Sequence, residues 1–319
     1  MENKDRERDA LTIGIGCYGA NAVAAVMSAV MGAELAGRGS IGGFAVLAVL
    51  DEDDAFQHTS VQRGGVSGLK ILDAWQSAKT AAIISSGPDR PEPLVQFLPG
   101  QSGVGLVAGH RLPNSLNEGG VPVNRAVLQL LERGQAPQDA IDHVLNAEPE
   151  MDAGLIALSA QGVIGWANTR RVARRPDIGV ATKIEADRGF ALLLNSIFSN
   201  HASCAELARC LGDLAWGALN GTQEAHGFLR LDEPVALRPA EQDRVHIDVR
   251  GSIVALETAN RALLSGQHAF RSVVYGAPQV LCDGKPIGHA ATELYARIDE
   301  GVAYPSERLV ERTMIVRRG

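Results

Sequence analysis

The chain has 319 residues, 45% of them hydrophobic, with 37 acidic against 30 basic side chains and a net charge of −7. That length suffices for a large core in one big domain or two smaller ones, and the acidic balance argues against nucleic acid as a general partner. The four cysteines (Cys17, Cys204, Cys210 and Cys282) form no C-x-x-C spacing, which predicts neither disulfide staples nor a metal site.

The first nine residues, MENKDRERD, carry charges of both signs, unlike the start of a signal peptide. Residues 11–16 predict a short buried strand. Residues 20–36 (ANAVAAVMSAVMGAELA) are Ala-rich and free of proline, which predicts a helix packed on both sides. Gly32 and Glu34 interrupt that apolar run, and it is too short to predict a membrane span. The expectation is a cytoplasmic protein with no membrane partner. Gly37 and Gly39 stop the helix. Residues 43–50 (GFAVLAVL) read as a strand buried on both faces. Asp51-Glu52-Asp53-Asp54 is a turn and residues 55–61 alternate, so 41–63 predicts a hairpin.

Residues 66–100 mix a short helix signal with a proline-rich stretch, SSGPDRPEPLVQFLPG, whose Leu94, Phe97 and Leu98 mark an ordered surface loop. Residues 103–108 predict a strand leading into Gly109-His110-Arg111-Leu112-Pro113-Asn114. Residues 121–133 and 137–146 are amphipathic helices, with Pro137 at a helix start. Residues 153–159 and 163–168 flank Ala160-Gln161-Gly162 as a second hairpin. Beyond Val180 the pattern weakens. A helix is expected over 203–219, short strands within 228–250, and helix or strand over 251–265. The tail, 271–319, carries a turn at Asp283-Gly284-Lys285-Pro286. No fixed-period repeat is present.

Two chemistries compete for residues 12–65. Gly14-x-Gly16-x-x-Gly19 follows a strand and opens a helix, as a dinucleotide cradle requires. Asp51, the acidic residue ending the next strand, comes 32 residues after Gly19, against roughly 20 in such units. The returning strand is also unlike a βαβ crossover. IGCYGANAVAAVM bears a faint similarity to the nucleotide loop of tubulin-like cell-division GTPases. The plain alternative is a Gly-rich turn without a ligand.

The second chemistry rests on a resemblance. GSIGGFAVLAVLDEDDAFQHTSVQRGG (39–65) resembles the hairpin that opens the catalytic half of plant-type asparaginases, which are N-terminal-nucleophile hydrolases. GVGLVAGHR (103–111) is similar to that family's Thr-Gly-His-Gly segment, and DAGLIALSAQGVIGWANTR (152–170) to its closing hairpin. The helix pair 121–146 also resembles gamma-glutamyltransferases. Together these similarities span roughly residues 20–175. They imply an α+β fold, a four-layer αββα sandwich over 10–180. Residues 181–319 would continue that core and add a C-terminal α/β extension. On this match Ser40 takes the nucleophile's place and Thr59 is its hydroxyl neighbour. Gly64-Gly65 would end the returning strand, Gly109 and His110 would hold the oxyanion and substrate, and Asn168 would close the last hairpin. Asp89-Arg90 is the nearest substitute for the family's substrate segment. In a second register Ser40 is only a turn residue of a non-catalytic half.

Such enzymes activate a hydroxyl or thiol with the α-amine freed by self-cleavage, and loop donors stabilise the oxyanion. Thr12 qualifies only if the eleven residues before it are removed. Cys17 lies beside a helix N-terminus, which favours a thiolate, though a small buried thiol is the plainer reading. Arg63 and Arg111 are candidates for a substrate carboxylate and Asn114 for further substrate contact. His58 lies on the returning strand. Asn195, Asn200 and His201 form a polar cluster that either lines a pocket or caps the helix near Ser203. Arg170, Arg171, Arg174 and Arg175 read as a solvated loop. The expected function is hydrolysis of a small-molecule amide or lactam by a homo-oligomer, without cofactor or metal. The alternatives are a nucleotide-binding α/β protein and an unprocessed, non-catalytic binding or assembly module.

Overall fold

The computed structural model describes residues 11–87, 89–197 and 203–319. The chain is mixed α+β, mostly sheet with few helices. It divides into two compact units, the first ending at Thr222 and the second running Gln223–Gly319. No helix among the described residues is long and apolar enough to cross a membrane.

The first unit contains, in order, β1 (Thr12–Tyr18), α1 (Ala22–Ala36), β2 (Ala45–Leu50), β3 (Phe56–Val61), β4 (Thr80–Ser86), β5 (Gly100–Gln101), β6 (Gly105–Arg111), α2 (Val123–Glu132), α3 (Pro137–Ala147), β7 (Ala153–Ser159), β8 (Ile164–Asn168), α4 (Arg170–Ala173), β9 (Ile178–Ile184), β10 (Gly189–Asn195) and α5 (Cys204–Asn220). Both expected hairpins form, as β2–β3 and β7–β8. In the first turn Asp51 Oδ1 accepts the N–H groups of Asp53 and Ala55, the local bonding that makes Asp a turn former. Pro137 opens α3, where its missing N–H costs nothing. Ser203 and Glu206 close a capping box on α5, so the cap comes from Ser203 itself and not from Asn195.

Six strands form one antiparallel sheet in the order β3-β2-β4-β1-β10-β9, and β5-β6-β7-β8 form another. The sheets pack face to face through Val46, Ala48, Ile84 and Leu193 on one side and Leu106, Ala108, Ile156 and Leu158 on the other. On its outer face the larger sheet carries α1 against β1 and β4, and α5 against β9 and β10. The smaller sheet carries α2 and α3, sealed by Val107, Val127, Ile141 and Leu155. Covering on both faces explains why β1, β2, β4 and β10 are buried throughout. Such strands lose the alternation that marks a half-exposed strand. β4 is an addition to the expected elements: TAAIISS is buried throughout and lacks the alternation of a half-exposed strand.

Two expectations are corrected. β1 pairs antiparallel on both sides, with β4 and β10, so it does not open a βαβ crossover. A Cβ on Gly14 would overlap the Gly109 carbonyl, and one on Gly16 would overlap Leu158. These two glycines let the sheets approach each other, and the space a phosphate would need is filled by β6 and β7. The second correction concerns the expected α/β character of the C-terminal extension. β9, β10 and α5 complete the first unit. Among its described residues the second unit has no α-helix. Ten strands between His226 and Arg318 form one sheet, with a single 3-10 turn at Arg261–Leu264. Its core includes Leu229, Val245, Leu256, Val280, Leu294 and Met314.

Candidate functional site

The inter-sheet layer is apolar except at one end. Side chains alternate across a strand, so Thr12 shares with Gly14 and Gly16 the face of β1 that looks at the smaller sheet. Thr12 lies in register with Ser86 of β4 and Asn195 of β10, which share faces with Ile84 and Leu193 of the layer. Opposite stands a second row, His110 of β6, Gly154 of β7 and Asn168 of β8. Thr12, Ser86, Asn195 and His110 are buried, and Asn168 is half-buried.

His110 joins the rows. Its Nδ1 is 3.2 Å from Asn195 Oδ1 and its Nε2 is 2.7 Å from Asn168 Oδ1. Only glycine fits at 154, because a Cβ there would overlap both Asn168 and the ring. Burial pushes the imidazole pKa down from 6.5 to about 4. The hydrogen bond to Asn168 opposes this, and the nearby Arg111 charge adds to it. The ring is therefore neutral at pH 7. Behind it, Asn195 Nδ2 donates to Ser196 Oγ at 3.2 Å and the Ser196 hydroxyl donates to Asp177 Oδ2 at 2.5 Å. Asp177 also accepts Arg175 Nε at 2.9 Å and Nη2 at 2.6 Å. Burial works against the Asp177 carboxylate, but bonds from Arg175 and Ser196 hold its pKa below the ordinary value.

Arg90 reaches the larger sheet's row from the loop after β4. Its Nε and Nη2 donate to Ser86 Oγ at 3.2 and 2.9 Å, and Gln62 Oε1 accepts its backbone N–H. Arg90 is half-buried and faces no carboxylate among the described residues; burial lowers its pKa. Arg111 has a positive φ of 61°. Its Nε and Nη2 hold Asp152 and its buried Nη1 has no hydrogen-bond partner among the described residues. Among those residues no cluster of His, Cys, Asp or Glu is arranged to hold a metal.

The residues expected to form the site are dispersed. The Ser40 hydroxyl donates to the Gly37 carbonyl at 2.7 Å, closing the end of α1. Thr59 lies opposite Leu47, on the face of β3 turned away from the inter-sheet core, whereas exposed His58 lies opposite Ala48. So Ser40, Thr59 and His110 do not meet, and of the expected substrate residues Asn168 hydrogen-bonds the His110 ring while Gly109 and Arg111 flank it in the chain. Arg63 is exposed and paired with Asp89 at 2.8 Å. Gly64 and Gly65 have positive φ, and a Cβ on Gly65 would overlap the buried Glu34 carboxylate, which accepts the Val66 N–H at 2.9 Å. That doublet serves the packing of α1. Gly109 packs against Gly14, and Asn114 donates to Gln96 at 2.9 Å. Burial drives the Cys17 thiol far up, so it is not a thiolate nucleophile. Arg170 pairs with Glu150 on the surface, but Arg175 belongs to the relay. Asn200 and His201 lie outside the described residues. Ser86, Ser196 and Asp177 carry no local signal; the register of separate strands brings Ser86 and Asn195 beside Thr12.

No curated protein matches the chain. A model described as a domain of unknown function (DUF7259) matches residues 234–307, within the second unit. Another, described as a domain of unknown function (DUF6963), matches residues 12–228, beginning at Thr12 itself. That match covers more than half of the chain, which therefore belongs to the DUF6963 family.

Proposed function

We propose that the first unit is an amidohydrolase of the N-terminal-nucleophile kind, with Thr12 as the nucleophile in place of Ser40. The helix pair α1/α5, the two facing sheets and the pair α2/α3 then read as the four layers of an αββα sandwich. The observation that carries the reading is the placement of Thr12. It is the first residue of a central strand, set between Ser86 and Asn195 and facing His110 and Asn168.

In this mechanism the Thr12 hydroxyl first attacks the Leu11 carbonyl carbon. The C–N bond to Thr12 breaks and an ester forms on Oγ1. Water hydrolyses the ester, releasing residues 1–11 with a new carboxylate and leaving a free α-amine on Thr12. That amine then takes the hydroxyl proton as Oγ1 attacks a substrate amide. The substrate's leaving nitrogen takes the proton, and water clears the acyl ester. Two N–H bonds from Arg90 onto Ser86 Oγ polarise the Ser86 hydroxyl beside the reacting oxygen. The same guanidinium, half-buried without a carboxylate, suits a small amide that carries an anionic group.

The burial of the row favours a second reading, an unprocessed binding module of the same fold. Intact mass and N-terminal sequencing of the purified protein separate the two. The hydrolase reading expects a chain beginning at Thr12, and a Thr12→Ala chain that keeps its first eleven residues. A wild-type chain that stays whole under conditions where it hydrolyses amides would overturn the mechanism. A whole chain without activity supports the module.

A further inference from the structure

The bonds behind His110 run in one direction, and that direction has a consequence for the ring. Asp177 is held by Arg175 through two N–H groups, so its carboxylate can only accept. The Ser196 hydroxyl has a single proton, and at 2.5 Å from Asp177 Oδ2 it is committed there. Ser196 Oγ is left as an acceptor toward Asn195, whose NH2 group it takes at 3.2 Å. A carboxamide has its carbonyl on the side opposite its NH2, so Asn195 turns its Oδ1 toward His110 Nδ1, 3.2 Å away. A carbonyl oxygen faces a ring nitrogen favourably only if that nitrogen bears the proton.

We propose that Asp177 is a positioning residue of this site: acting through Ser196 and Asn195, it fixes His110 as the neutral tautomer protonated on Nδ1. Nε2 is then a lone-pair acceptor. Asn168 Oδ1 lies 2.7 Å from it, so this tautomer requires the Asn168 carboxamide, which has no second anchor among the described residues like that of Asn195 on Ser196, to turn over and present its NH2 group there. The imidazolium form, in which both ring nitrogens would donate, is opposed by the burial of the ring and by the Arg111 guanidinium. The titratable and charged groups acting on the ring include Arg111 and Asp152, and the relay ends in Arg175. The consequence for the site is that His110 does not serve as an acid or a base there. It is a strut with a fixed donor and a fixed acceptor, holding the carboxamides of two strands from different sheets at set orientations beside Thr12. This deepens the hydrolase reading, on which its relevance to catalysis rests. The tautomer itself does not depend on that reading.

The experiment is nitrogen-15 NMR of the histidine-labelled full chain at pH 7, with the His110 ring identified as the signal missing from His110→Gln. The wild type is expected to have the proton on Nδ1. In Asp177→Asn the terminal amide can donate to Ser196 Oγ, freeing the hydroxyl for Asn195 Oδ1. Asn195 then presents its NH2 to Nδ1 and the proton moves to Nε2. Ser196→Ala, which removes the link with little change of volume, is expected to give a mixture of both tautomers. Adding Asn195→Asp to Asp177→Asn supplies an acceptor-only group at Nδ1 and restores the original tautomer. A wild-type ring protonated on Nε2, or doubly protonated, would overturn the proposal. So would an Nδ1 proton that stays put in Ser196→Ala and Asp177→Asn. An inactive protein with the expected tautomers would sink the hydrolase reading and leave the relay intact. Hydrolysis with a ring protonated on Nε2 would do the reverse.

Discussion

Thr12 and Ser40 are both small hydroxyl residues close to glycines in the first unit, and the fold uses them in opposite ways. Ser40 ends a helix, and its hydroxyl is spent on the Gly37 carbonyl of the same turn. Thr12 begins a strand, and its side chain lies in a row with Ser86 and Asn195 that looks across at the second sheet. A residue bonded within its own turn serves local structure. A residue whose register partners, here Ser86 and Asn195, come from distant strands has an environment only the finished fold can build, which is what nucleophile activation requires.

The sharpest way to break this comparison is to truncate each hydroxyl. Thr12→Ala is expected to abolish release of residues 1–11 and to lower amide turnover by on the order of a thousandfold or more, as loss of a nucleophile does. Ser40→Ala should keep both activities and lose about 1 kcal/mol of stability, the net worth of one hydrogen bond, read from a urea midpoint. The opposite pattern would return the nucleophile to Ser40.

The row opposite Thr12 has its own signature in pH. Between pH 6.5 and 4 the unfolded chain binds a proton at His110 that the folded chain refuses. Stability contributed by this ring is thus present at neutral pH and is lost as pH falls through that window, by up to about 3 kcal/mol. In His110→Gln the pH dependence of the urea midpoint should be shallower there and unchanged above it.

A third test compares two arginines. Arg90→Ala is expected to raise KM for an anionic amide about ten- to a hundredfold, the range of a lost charged hydrogen bond, and to leave a neutral amide unaffected. Arg63→Ala removes only an exposed pair with Asp89 and should leave KM and Tm unchanged. Equal effects of the two variants would remove Arg90 from the substrate reading. The smallest contrast is between glycines. Gly14→Ala forces the sheets apart at Gly109 and should cost about 1–3 kcal/mol. Gly39→Ala meets no atom within 4 Å and should cost about 1 kcal/mol, from its positive φ of 88° alone.

Several local features are legible in the amino-acid sequence. The two hairpins, α1, the α2–α3 pair and the helix over 203–219 follow from patterns within a few residues of one another. β4 is hidden because burial on both faces removes its alternation, and Ser86 is hidden with it. The glycines of Gly14-x-Gly16 are visible, but their purpose is not. Gly14 makes room for the Gly109 backbone of β6 and Gly16 for the Leu158 side chain of β7, both far along the chain.

Where the chain turns, which segments are helical and that two hairpins form follow from neighbouring residues, because capping, turn chemistry and periodicity act over a handful of positions. The packing of distant strands sets which hydroxyl faces the layer between the sheets and which arginine reaches Ser86. It also decided that His110 meets Asn195, 85 residues away. Those choices depend on the register between antiparallel strands, and a one-residue slip in that register would turn each of these side chains to the other face.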